Sequence, residues 1–160
     1  MSLEDEIKPL RRLLIGHGAL LMLAAGVIGL AFTFFVLGHV VLWPIPGQIE
    51  YQLPGTYHDW HMAHMEALIN GAVVFLVAAL LPALPFAERG LKRVAYAVAV
   101  VAWVNVIAST IKIFFKDSQG LEASALLSNN IVFALFYVGV VVFLVLMATI
   151  AWKCLRSTAP

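Results

Sequence analysis

A chain of 160 residues that is 62% hydrophobic and 12% charged is far more apolar than a water-soluble domain, for which roughly 45–50% is usual. A net charge of +1 offers little to a nucleic-acid backbone, and a single cysteine, Cys154, excludes a disulfide within the chain. The length bounds the protein to one domain, residues 1–160.

The apolar residues fall in four blocks, roughly 13–42, 62–84, 91–115 and 131–152. Each reaches the ~20 residues that a helix needs to cross hydrocarbon, and none has the charged face of an amphipathic soluble helix. The expected fold is an all-α membrane protein, a four-transmembrane-helix bundle in a lipid bilayer. The first block is too long for a cleaved signal peptide, follows the acidic "LEDE" (3–6) and lacks a cleavage site. Near its start, "GHG" (16–18) places His17, which a close backbone approach or a buried hydrogen bond would explain without chemistry.

Breakers separate the blocks. "WPIPG" (43–47) and "LPG" (53–55) end the first helix and make a structured loop. The loop leads into "YHDWHMAHMEALINGAVVF" (57–75), where three histidines stand at the mouth of the second helix. His58, His61 and His64 advance by about 300° per step, so they fan around the axis instead of stacking on one face. That spacing suits a single metal ion poorly, since helical metal-binding pairs sit four apart. His58 and His61 read as solvated or hydrogen-bonded interfacial side chains.

His64 opens the apolar part of the helix, where polar side chains are costly and usually functional. Ala67 and Gly71 follow it at about 60° and 20° in projection. Small residues beneath a histidine leave room for a flat group such as a porphyrin, whose iron histidine commonly ligates. They equally form a small-xxx-small strip, with Ala63, for packing another helix.

"LPALPF" (81–86) ends the second helix, because proline lacks an amide hydrogen and clashes with the preceding turn. On the third helix Asn105, Ser109, Lys112 and Lys116 lie within about 60° of one another in projection. Such a stripe faces a bundle interior or a wet cavity, or else its lysines snorkel to the interface and Asn105 bonds a neighbouring helix. "KDSQG" (116–120) ends this helix, and Ser128, Asn129 and Asn130 resemble the start of the fourth. Segment 121–128 reads either as a short interfacial helix or as the beginning of that fourth helix.

Lys8, Arg11, Arg12, Arg89, Lys92, Arg93, Lys153 and Arg156 fall on one side of a four-helix path, with Lys112 and Lys116 on the other. The positive-inside rule then makes both termini cytoplasmic and sends the loop 43–61, which has no Lys or Arg, outward.

At these residues the chain resembles the styrene oxide isomerases, small four-helix integral membrane enzymes. The resemblance rests on "GHG", "IEYQLPGT" (49–56), Trp60-x-x-Ala63-His64-x-x-x-Leu68-x-Asn70-Gly71, "PFA" (85–87) and Trp103-x-Asn105-Val106. It follows the whole chain in order and is strongest over 49–71. It implies a haem-b-binding homotrimer of the bacterial inner membrane with His64 as axial iron ligand, which would put the small residues Ala67 and Gly71, read above as room for a flat group, against the cofactor. It further implies Asn70, Asn105 and Ser109 as active-site positions for a small apolar epoxide. The activity implied is a Meinwald rearrangement: ferric iron acts as a Lewis acid, the C–O bond opens towards a benzylic cation, a hydride shifts and an aldehyde results without net redox change. Two positions depart from the family pattern. Val101 stands where the family has an acid and Ser109 where it has a tyrosine, so a wider pocket and bulkier aryl or terpenoid epoxides are expected.

Two other functions compete with the isomerase. One is a membrane haem protein for electron transfer or for gas or haem binding, with His39 as a second ligand on the same membrane side. The other is a cofactor-free four-helix interaction protein. For the orientation, a cysteine introduced into the loop 43–61 is expected to react with a membrane-impermeant maleimide applied from outside the cell. Labelling from the cytoplasmic side would reverse the assignment.

Overall fold

The computed structural model of the chain describes residues 3–115 and 117–156. Four helices follow in chain order: α1 Leu3–Leu37, α2 Tyr57–Leu80, α3 Glu88–Phe114 and α4 Leu127–Arg156. All four are long and apolar enough to cross a membrane, over Ile7–Leu37, Tyr57–Ala83, Glu88–Phe114 and Leu127–Arg156. Helices are the expected solution, since hydrocarbon offers backbone groups no partners and an α-helix satisfies its own.

The helix ends differ from the apolar blocks, because local capping sets them and hydropathy does not. α1 begins ten residues earlier than its block, in the charged segment, and stops at Leu37. Gly38, with φ of 78°, turns the chain and donates its amide to Phe34 O at 3.0 Å, a left-handed cap that glycine adopts without steric cost. The apolar residues beyond it are not helix: β1 (Val40–Val41) pairs antiparallel with β2 (Gln48–Ile49) in a small hairpin. α2 starts at Tyr57, so His58 and His61 stand in its first turns. Thr56 caps it, its hydroxyl accepting from Asp59 N and donating to the Asp59 carboxylate. A single 3-10 turn, Leu81–Ala83, with Pro82 near its start, closes it.

Residues 121–126 form no helix, so the interfacial helix considered there is absent and α4 begins at Leu127. Asn129 and Asn130 do offer their side chains to free backbone groups, but to those of the preceding loop. Asn129 Oδ1 accepts from Gly120 N and its amide donates to Glu122 O, both at 2.8 Å. Asn130 makes the same pair of bonds with Ser124.

α1 packs most extensively on α2; α3 lies against both α2 and α4; α4 rests on α3 and makes little approach to α2. The core runs along the first three helices through residues such as Leu14, Leu21, Val74, Leu91 and Ala95. α1 and α4 keep broad apolar faces exposed, including Leu23, Val27, Leu30, Leu144 and Val145, as membrane-facing surfaces do. Arg11 Nε donates to Ala78 O at 3.2 Å, tying the basic end of α1 to the end of α2.

Asn129 is 4% exposed, so Asn129→Ala strands the buried Gly120 amide and releases the Glu122 carbonyl of the α3–α4 loop. A loss of about 2 kcal/mol is expected in a detergent or bicelle unfolding equilibrium. Asn130→Ala, whose equivalent bonds are open to solvent, should cost clearly less.

Candidate functional site

His64 is half-buried on the side of α2 that meets α1. Its Nδ1 lies 3.0 Å from Ala25 O. A carbonyl only accepts, so Nδ1 carries a proton, and in the neutral imidazole Nε2 keeps its lone pair. The ring occupies the space that a side chain at Gly29 would need: a Cβ there would stand 2.8 Å from His64 Cε1 and 2.9 Å from Nδ1. A histidine held through Nδ1 by a carbonyl, with Nε2 left basic, has the usual arrangement of an iron- or zinc-binding imidazole. The donor chemistry and the glycine cradle therefore fit an axial ligand.

Ala67 and Gly71 face the same neighbour. Ala67 is fully buried, and a Cβ on Gly71 would meet Leu21 Cβ and Met22 Cε at 3.3 Å and Gly18 O at 3.4 Å. Within one chain α1 fills the space over this strip, which gives the two residues a helix-packing role here.

The other histidines lie elsewhere. His17 Nδ1 accepts from Trp103 Nε1 at 3.1 Å and joins α1 to α3, the buried-bond explanation given for it above. His39 follows α1 in the turn before β1. His58 is exposed. His61 is exposed too, stacked on Tyr57 with 6.1 Å between ring centroids and set edge-on to Phe32. Among the described residues no three His, Cys, Asp or Glu side chains gather closely enough to share a metal ion.

A second feature lies on the other side of α2. Because α4 leans on α3 alone, a cleft of about 210 Å3 opens between α2, α3 and α4. Its walls are apolar apart from Glu66, Asn70 and Asn105. An apolar cavity of roughly 150 Å3 holds benzene, so the cleft has room for a small aryl or aliphatic ligand and none for a porphyrin. A larger groove of about 840 Å3 lies between α1 and α3, but Thr110 and the Trp103 indole are its only polar side chains. The Thr110 hydroxyl is already bonded to Val106 O, and the indole N–H to His17.

Asn70 and Asn105, singled out separately in the sequence, meet in this cleft. The Asn70 amide donates to Glu66 O at 2.8 Å and to Glu66 Oε2 at 2.7 Å, which fixes it and leaves its carbonyl free. Asn105 Oδ1 is buried without a partner among the described residues. It points at α4, where a Cβ on Gly139 would come within 2.5 Å of it. Ser109, one turn further on, is 2% exposed and its Oγ likewise has no partner among the described residues. It is buried beside the cleft and does not line it. Val101, below Asn105, does line it. Lys112 is half-buried, and Lys116 lies outside the described residues. The stripe on α3 thus faces the bundle, with two unsatisfied polar atoms one turn apart, each a cost of about 1–3 kcal/mol until something bonds it.

Glu66 is the residue that sequence reasoning passed over. The signal was present: an acid inside a membrane helix, four residues before Asn70 and so on its face.

A family model for styrene oxide isomerase matches residues 10–155. A styrene-oxide isomerase of Pseudomonas fluorescens is 31% identical over 96 residues, which cover 59% of this chain and 56% of that relative. The similarity therefore spans little more than half of the relative's length.

Gly139 makes the room in which Asn105 stands. Gly139→Ala is expected to displace the carboxamide and destabilise the α3–α4 contact by roughly 1–3 kcal/mol, as overpacking does. Gly26→Ala, where nothing lies within 4 Å of the new Cβ, serves as the near-neutral control in the same unfolding measurement.

Proposed function

The chain belongs to the styrene oxide isomerase family, and on that premise we propose that it isomerises a small apolar epoxide to a carbonyl compound with haem b as cofactor. The observation that carries the reading is the α2–α3–α4 cleft, where two carboxamides and one carboxyl group converge in otherwise apolar walls. Haem b, when bound, supplies a ferric Lewis acid for the epoxide oxygen. His64 is the residue that would hold it, through the Nε2 that the Nδ1–Ala25 bond leaves unused.

The rest of the work falls to the chain. Asn105 orients the substrate by donating from its Nδ2 amide to the epoxide oxygen, which can only accept, while the Asn70 amide holds the Glu66 carboxyl group at the cleft wall. The C–O bond opens with its electron pair on oxygen, and the adjacent carbon becomes positive. A neighbouring hydrogen then moves with its pair, and the carbonyl forms. Substrate and product are isomers, so no oxidant or base is consumed. Walls of Ile69, Val73, Val101 and Phe143 keep water from trapping the cation. Val101 adds to the apolar wall, while the Ser109 hydroxyl is buried beside the cleft and does not widen it, so the cleft favours small substrates over the bulkier ones expected from the sequence.

This reading needs more than one copy. His64 and Asn70 are six residues apart, about 120° around α2, and one faces α1 while the other faces α3 and α4. A haem on His64 of one chain and the cleft of a neighbour can share a substrate, in a homotrimer of the bacterial inner membrane with cytoplasmic termini.

The test is haem content and coordination. Wild-type protein is expected to show a Soret band of five-coordinate or weakly water-ligated ferric haem. His64→Ala should lose most of the haem, as should Gly29→Ala, whose methyl displaces the ring. His58→Ala and His61→Ala should retain it. Retention in His64→Ala would refute the ligand assignment; a six-coordinate low-spin spectrum would point to an electron carrier instead.

A further inference from the structure

We infer that Glu66 is a further catalytic residue: its carboxylate is the counter-charge that the cleft holds against the positive carbon of the opening epoxide. This rests on the proposed isomerisation and adds to it a charge that neither asparagine can supply. Four observations place it. Glu66 lines the cleft and lies one helical turn from Asn70, on the same face. None of the residues lining the cleft is Lys, Arg or His, so the cleft contains no cation to neutralise it. The side chain is fixed by Asn70 Nδ2, which donates to Oε2 at 2.7 Å. The wall opposite is apolar, Val98, Val101 and Ala102 of α3 and Val140 of α4. In such surroundings a charge acts over several ångströms with little screening.

The chemistry closes without a covalent role for the carboxylate. The epoxide C–O pair goes to oxygen, the migrating hydrogen carries its pair to the positive carbon, and oxygen returns a pair to make the C=O bond. Glu66 neither gains nor loses a proton. No bond from Glu66 to carbon is made or broken in these steps. Preorganised charge facing a site where opposite charge develops acts on the barrier and far less on substrate affinity.

The experiment uses the full chain, haem-loaded, in lipid nanodiscs. Binding of phenyltrimethylammonium is compared with that of its uncharged isostere tert-butylbenzene. The quaternary nitrogen has no lone pair for iron, so the comparison reads the cleft and not the haem. Wild type is expected to favour the cation, and Glu66→Gln to lose that preference by about tenfold or more, with haem content unchanged. On an epoxide that the wild type isomerises, Glu66→Gln should lower kcat on the order of 10- to 100-fold with little change in KM. Glu66→Asp, which keeps the charge, should recover part of both. If Glu66→Gln does not fold, wild type alone decides, because a merely apolar cleft binds the uncharged isostere tighter. Equal kcat in wild type and Glu66→Gln overturns the inference and leaves the isomerase reading intact. Inertness of the wild type on every epoxide, with cation preference still dependent on Glu66, overturns the isomerase reading and the catalytic role with it, while the recognition of positive charge survives.

Discussion

The close approach of α1 to α2 sets the position of nearly every polar group in the bundle. In a membrane no hydrophobic force drives one apolar helix onto another, so association depends on how near the backbones can come. Here both faces of the seam are small. Gly18, Ala25 and Gly29 of α1 meet Ala63, Ala67 and Gly71 of α2, and the alanines are fully buried. A Cβ on Gly18 would lie 2.9 Å from the Phe75 ring, and one on Gly71 would lie 3.4 Å from Gly18 O. Such proximity lets the His64 ring reach Ala25 O over Gly29, fixing its tautomer. With that face of α2 committed to α1, the helical rotation turns Glu66 and Asn70 to the other side, towards α3 and α4.

The α3–α4 pair answers with the opposite arrangement. Where the first seam is filled, this one is left short: α4 stands on α3 and scarcely reaches α2. Gly139 admits the Asn105 carboxamide, and the gap beside it is the cleft. One glycine-mediated contact thus closes a seam and another sets the pose of a group that faces a cavity. The Trp103–His17 bond ties α1 to α3.

The four spans were legible because hydropathy over ~20 residues is a strong and simple signal. Their ends were not, because caps decide them. Val40, Val41 and Leu42 are as apolar as the helix before them, and only the left-handed turn at Gly38 sends them into a hairpin. Asn129 and Asn130 were recognised as residues that bond free amides, yet which amides they bond depends on how the loop 117–126 folds back, and that is tertiary information. His64 was legible from its place at the head of an apolar run. Its partner Ala25, 39 residues away in sequence, was not. The departures at Val101 and Ser109 were read along a single helix. That reading could not see that the cleft receives a carboxyl group from α2 at Glu66, across from Val101, because the pairing of those faces exists only once three helices are packed.

The polar content of the cleft is hard to explain as packing. An apolar residue at 105 or 109 would remove a buried atom that has no partner among the described residues, each worth about 1–3 kcal/mol, and a methionine at 66 would remove a carboxyl group from an otherwise largely apolar cleft. Stability alone therefore favours a duller sequence. Structural polar residues in this chain look different: the Thr110 and Thr149 hydroxyls return to the carbonyl one turn back, the Trp103 indole meets His17, and Asn129 satisfies two loop groups. Those groups are bonded out. Among the described residues Asn105 Oδ1 and Ser109 Oγ have no partner, and the Asn70 bonds to Glu66 are made by its amide and not by its carbonyl. Unused hydrogen-bonding capacity in and beside one cavity, next to a fixed carboxyl group, is what a ligand-binding site would leave to its ligand at a cost to fold stability.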